Sequence, residues 1–216
     1  MKKLLILGGA GQNSGSGAEN IIRELINKSS MITFMLASTN RNGGVARRAD
    51  HLGVPFYPLP AKPTTENYQM LFENFHPDHI TLAGYEKFVS GFPVGKVSNI
   101  HPGLRPFTNG LYGIKVHEKV IEAQAHYPLI TSGVEIHFID KPNTTAGYDE
   151  GALIYRKVIE IQNYPEFTAQ LLQKEINSVE HAIQPAIIEL LTMGDITFGF
   201  DGAVANERAQ KVMKNL

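Results

Sequence analysis

Asn99 and His101 stand two residues apart in VSNIHPGLRPF (97–107), directly after an apolar stretch. In an extended strand, alternate side chains project to one face, so this spacing delivers an amide and an imidazole to the same opening. The amide N–H can donate to an oxygen on which negative charge develops, and an imidazole with an ordinary pKa of about 6.5 can move protons near neutral pH. Oxyanion stabilisation coupled to proton transfer is the chemistry this pair can do. The bland alternative is a strand end whose polar groups only satisfy the backbone.

Asp149 closes the turn-rich stretch DKPNTTAGYDEG (140–151), where composition alone suits a solvated acid. It matters if the fold brings it to His101, whose pKa a carboxylate would raise and whose proton it would order. GGAGQNSGSG (8–17) lies between an apolar run and an amphipathic segment. Ser14 stands where G-x-G-x-x-G needs its last glycine, STNR (38–41) offers no ribose-binding acid, and Gly-Lys-Ser/Thr is missing. A dinucleotide fingerprint and a P-loop are therefore disfavoured. What fits is a helix N-terminus able to hold one phosphate through backbone N–H groups, or an ordinary surface loop. His76-Pro77-Asp78-His79 has metal-ligand spacing, but Pro77 prevents a regular helix from aligning the histidines and no third ligand is evident, so a solvated turn is expected. His117, His126, His137 and His181 gain nothing from position alone.

The elements that must position these groups are legible as apolar runs separated by helix-like stretches. KKLLIL, ITFMLAS (32–38), HITLAGY (79–85) and KVSNI (96–100) read as strands. AENIIRELINK, GVARRADHLG and ENYQMLFENF between them read as helices, which implies crossover connections and a parallel sheet. Ser16 and Glu19 have capping-box spacing that would start a helix at about Gly17. Further on, IKVHEKVIEAQA reads as a helix and SGVEIHFI and ALIYRKVIEI as strands. EFTAQLLQKEINSVEHAIQPAIIELLTMG is mostly long helix with a kink expected at Pro185, and ITFGF is a final strand.

With 216 residues, 43% of them hydrophobic, the chain can bury one substantial core, and no repeat or linker divides it. A net charge of −1 gives no broad basic field, so neither nucleic acid nor an anionic membrane is suggested. The absence of cysteine excludes disulfides, thiolate metal sites and cysteine nucleophiles. Leu4 to Leu7 is too short for a signal core or a membrane span, so a soluble cytoplasmic protein is expected.

HPDHITLAGYEKFV followed by VSNIHPGLRPF, then SGVEIHFID and Asp149, resembles the formyl transferases that use 10-formyltetrahydrofolate, the phosphoribosylglycinamide formyltransferases among them. The resemblance spans nearly the whole chain. It implies one Rossmann-like α/β domain over 1–216, with a mostly parallel central sheet flanked by helices. A phosphate-binding half would occupy about 1–95 and a folate-binding and catalytic half about 96–216. It also implies formyl transfer to the amine of glycinamide ribonucleotide in purine biosynthesis. Asn99 would hold the formyl oxygen, His101 would stabilise the oxyanion and assist proton transfer, and Asp149 would relay the proton and orient His101. Phosphate would fall to Gly11, Gln12 and Asn13 or to Gly15, Ser16 and Gly17, and the amine end to Glu180. Tyr85, Glu86, Lys87, Phe88 and Val89, with Ile139, Asp140, Asn143 and Thr144, would wall the folate.

The implied co-substrate is 10-formyltetrahydrofolate, with no metal, since positioning, proton transfer and oxyanion stabilisation suffice for an activated formyl donor. Small-molecule substrates and a monomer or homodimer complete the expectation. Departures from the family pattern fall at Glu86 and Lys87, at Gly103 and Arg105 where Ser and Leu are usual, and in a longer loop before Asp149. They leave two alternatives open: another phosphorylated amine as acceptor, such as an amino sugar nucleotide, or a non-catalytic folate or nucleotide binder.

Overall fold

Leu4, Leu5, Ile6 and Leu7 are all fully buried, because the strand they form is covered on both faces. In the computed structural model, which describes residues 1–28, 31–124, 126, 130–139, 149–161 and 168–216, that strand is β1 (Lys2–Gly8). Leu4 and Ile6 face one way, onto Ala18, Ile21, Ile22 and Leu25 of α1 (Ser16–Lys28). Leu5 and Leu7 face the other, into a second cluster with Tyr68 and Leu71. At about 25 cal/mol per Å² of apolar surface, such two-sided burial supplies the main driving force for the sheet.

The chain continues through β2 (Ile32–Ser38), α2 (Gly44–Leu52), β3 (Phe56–Pro58), α3 (Thr65–Phe75), β4 (His79–Ala83) and β5 (Val97–His101). Then follow α4 (Ile114–Gln124), β6 (Ile130–Phe138), β7 (Leu153–Ile161), α5 (Ala169–Met193), β8 (Ile196–Gly199), β9 (Gly202–Ala205) and α6 (Glu207–Lys214). The main sheet has the order β3-β2-β1-β4-β5-β6-β7; the first five strands run parallel, β6 pairs antiparallel with β5, and β7 pairs antiparallel with β6 and so runs with the others. This is the mostly parallel α/β architecture expected. The winding reverses between β1 and β4, which opens a crevice beyond their carboxyl ends. β8 and β9 form a separate hairpin.

Two local expectations change. α1 begins at Ser16, which puts that residue inside the helix, and the Glu19 carboxylate takes Arg23 at 2.7 Å and Arg48 at 2.8 Å. The His76–His79 segment is a turn only in its first half. Asp78 accepts from Lys2 and the Lys3 N–H, whereas His79 opens β4, buried, with Nε2 2.8 Å from Ser98 Oγ. Burial, with Lys96 adding to it, pushes the His79 pKa down to about 3.

Pro185 sits inside α5 without ending it. Having no N–H, it leaves the His181 carbonyl without its usual partner four residues on. Asn20 Nδ2 donates to that carbonyl at 2.8 Å, which ties α5 to α1 beside the helix start. Among the described residues, no helix is long and apolar enough to cross a membrane.

Candidate active site

Beyond the carboxyl ends of β1, β4 and β5 lies a cleft of about 720 Å³. Asn99 and His101 reach it from one face of β5, as their spacing requires. Asp149 meets them there. Its Oδ1 accepts from Asn99 Nδ2 at 3.2 Å, and its Oδ2 lies 3.4 Å from His101 Nδ1 and accepts from the Gly110 N–H at 3.1 Å.

A fourth member is His137, which the sequence reading left without a role. It is paired directly opposite Asn99 across the antiparallel β5–β6 ladder, and directly opposite residues share a face. Its Nε2 is 3.3 Å from both Asn99 Nδ2 and Asp149 Oδ1. Nδ1 faces the Phe138 carbonyl at 3.0 Å and must donate to it, since a carbonyl only accepts. Uncharged His137 therefore accepts from Asn99; protonated, it donates to Asp149. The signal was present in the His-Phe strand end, but only the strand register turns it into a contact.

Electrostatics divide the roles. Burial alone would raise the Asp149 carboxyl, yet the His137 hydrogen bond, the charges of His101 and His137 and the Gly110 N–H together hold it below the ordinary carboxylate value. His101 moves down: burial outweighs the opposing pull of Asp149 and Glu135, while His137 and Arg105 push the same way as burial. An anionic Asp149 thus faces an uncharged, 2% exposed imidazole near neutral pH. His101 Nε2 is 2.8 Å from Thr108 Oγ1. Gly103 makes that contact possible, since a Cβ there would lie 2.3 Å from the Thr108 oxygen and 3.0 Å from His101 Nε2. His117 also lines the cleft; burial, then proximity to His101, lowers its pKa to about 4.

The two halves of the Gly/Ser loop separate. Gly15, Ser16 and Gly17 line the cleft at the start of α1, with Gly15 at φ 103°, a conformation that favours glycine. Gly11, Gln12 and Asn13 are exposed and stand outside it. Their end of the loop is tied to α2: Arg47 donates to Gln12, Arg48 to the Ser14 carbonyl at 2.9 Å, and the Gly44 N–H to Gly11 O at 3.0 Å. Across the cleft, α5 turns Gln173, Asn177, Glu180 and Gln184 toward the same space, a helical spacing of one face. Burial raises the Glu180 carboxyl to about 7.

Tyr85, Glu86, Lys87, Phe88, Val89 and Ile139 form a further wall. Tyr85 and Val89 are themselves buried, and Tyr68 Oη, 2.9 Å from Tyr85 Oη, donates to the Phe88 carbonyl at 2.7 Å. Glu86, Lys87 and Phe88 are exposed at the rim. Asp140, Asn143 and Thr144 lie outside the described residues. Among the described residues, no group of three or more histidines or carboxylates could hold a metal ion.

Comparison with known proteins places this geometry. The Formyl transferase family matches residues 10–188. The chain is 30% identical over 220 residues to the chloroplastic phosphoribosylglycinamide formyltransferase of Vigna unguiculata, covering 93% of this chain and 64% of that protein. It is 25% identical over 202 residues to the trifunctional purine biosynthetic protein adenosine-3 of Gallus gallus, covering 88% of this chain but only 19% of that protein. Among solved structures, a phosphoribosylglycinamide formyltransferase from Coxiella burnetii superposes with a TM-score of 0.75 at 20% identity, over 94% of this chain and 93% of the other, and so shares the fold.

Proposed function

Since the chain belongs to the formyl transferase family, we propose that its cleft transfers the formyl group of 10-formyltetrahydrofolate to the amine of glycinamide ribonucleotide. The observation that carries this reading is the convergence of Asn99, His101 and Asp149 with His137 in a cleft that a helix start and Glu180 also line.

The amine nitrogen attacks the formyl carbon, forming a C–N bond and putting negative charge on the formyl oxygen. Asn99 donates to that oxygen, a contribution worth about 10²–10³ in rate for one such donor. Asp149, anionic and fixed by three neighbours, holds His101 in place. The pair takes up the proton that the amine loses, and it returns a proton to N10 of the folate as the old C–N bond breaks. One formyl group and one proton have then changed places. Glu180 contacts the amine end of the acceptor, which attacks as the neutral amine, and the N–H groups opening α1 at Ser16 and Gly17 receive its phosphate. The wall from Tyr85 to Val89, with Ile139, takes the pteridine end of the donor; Asp140, Asn143 and Thr144 belong to the same assignment. The phosphate-binding half is then about 1–95 and the folate-binding and catalytic half about 96–216, with Tyr85 to Val89 reaching from the first half to the folate and Glu180 from the second to the acceptor.

Thermal unfolding with added ligands tests the acceptor. Glycinamide ribonucleotide should raise the Tm in proportion to its saturation of the site, whereas an amino sugar nucleotide should not. Stabilisation by the sugar nucleotide alone would transfer the reading to that acceptor class.

A further inference from the structure

Arg105 touches none of the space a reacting group would fill, yet it holds the residue that does. Its Nε donates to Glu135, and its Nη1 donates to the carbonyls of both Asp149 and, at 2.8 Å, Gly151. The Arg105 backbone N–H adds a bond to Glu135 Oε1 at 3.3 Å. The side chain is only 12% exposed, and that of Glu135 is completely buried. Glu135 is placed there by register. It pairs with His101 on one side and with Arg156 on the other, and Arg156 Nε donates to the same Oε1 at 2.6 Å while Arg105 Nε takes Oε2.

Asp149 sits at φ 60°, a left-handed backbone that residues other than glycine adopt at a cost of about 1–3 kcal/mol unless their surroundings enforce it. Arg105 supplies the enforcement on the backbone side, holding one carbonyl of the turn at Asp149 and another at Gly151. The carboxylate is then left to face Asn99, His101 and His137.

We propose that Arg105 is a positioning residue for catalysis, fixing the Asp149 turn through the Asp149 and Gly151 carbonyls, with buried Glu135 holding its guanidinium in place. The planar fork is what the role needs, because a single ammonium cannot span a carboxylate and two carbonyls in this arrangement. The inference rests on the formyl-transfer reading. A purely electrostatic role, in which Arg105 only neutralises Glu135, makes a different prediction.

The test measures kcat and KM for wild type, R105K and the double variant R105L/E135Q, with Tm as a check on folding. The double variant removes both buried charges, an exchange that is often neutral or stabilising, and leaves the half-exposed Arg156 to water. A misplaced catalytic group costs about 10²-fold, so kcat of the double variant should fall by about that factor while KM values stay within about threefold. R105K should lose about tenfold in kcat despite keeping the charge. Double-variant turnover within about threefold of wild type would overturn the proposal and leave charge neutralisation as the whole role of Arg105. A fully active R105K would overturn it as well, and serves as the deciding variant if the double variant does not fold. A folded wild type without formyl transfer is the separate result that removes the functional reading and the inference together.

Discussion

Glu180 shows how one residue's surroundings decide its charge. Burial in the cleft wall raises its carboxyl to about 7, so near neutral pH it stands between its acid and its anionic form. The same shift has a stability consequence. The folded-state pKa lies above the unfolded value of 4.5, so the native state binds the extra proton between those values and stability falls as pH rises from 4.5 to 7. In Glu180→Gln that fall should vanish. The Tm of the variant should match wild type near pH 4.5 and exceed it by a few degrees above pH 7, and a constant difference across the range would contradict the burial argument.

His101 and Asp149 make a second prediction at this scale. Asp149 is the largest influence raising the His101 pKa against burial, so Asp149→Asn should lower the imidazole titration midpoint below its already depressed wild-type value. Titration of the His101 ring by NMR reads this directly, and a midpoint that rises in the variant would refute the assigned electrostatics. Loss of the proton relay should cost about 10²–10⁴-fold in kcat at the same time.

At the scale of elements, α5 carries Glu180 to the cleft and holds a proline in its interior. The Pro185 ring leaves His181 O without its helix partner, and Asn20 of α1 supplies the replacement. Asn20→Ala should therefore cost about 1–2 kcal/mol, measured by denaturant unfolding, and should raise KM for the acceptor more than for the folate. Equal effects on both KM values would detach the α1–α5 tie from the site. The strands with long apolar runs, β1, β2 and β4, were legible in the sequence because both faces of each are covered. The three-residue β3 and the four-residue β9 were not, since each is too short to show a period. α6 does carry helix signals, Glu207 in its first turn, Lys211 and Lys214 in its last, and the Asn206 cap, whose side chain accepts from the Ala209 N–H.

The site was legible to different depths for the same reason. Asn99 and His101 follow from alternation along one strand. His137, Glu135 and Arg105 act through pairing between strands and loops, which no single run of sequence encodes. Asp149 stood out only on the condition that the fold brings it to His101, a contact between residues 48 positions apart that no single run of sequence encodes.

On the scale of the whole molecule, reversal of the sheet's winding between β1 and β4 opens a crevice that brings the α1 start, the β5 end, the β6 histidine and the α5 face to one cleft. The chain spans 64% of its Vigna unguiculata relative and 19% of the Gallus gallus one, so the comparison bears on this domain. On the proposed reading, Asn99, His101 and Asp149 serve one reacting carbon in that cleft. The most direct test is the rate of folate product formation from 10-formyltetrahydrofolate and glycinamide ribonucleotide, for wild type and Asn99→Ala. The account predicts turnover in the wild type and a loss of about 10²–10³-fold in kcat in a folded variant. Undiminished turnover in Asn99→Ala, or a folded wild type that binds both ligands and forms no product, would contradict it.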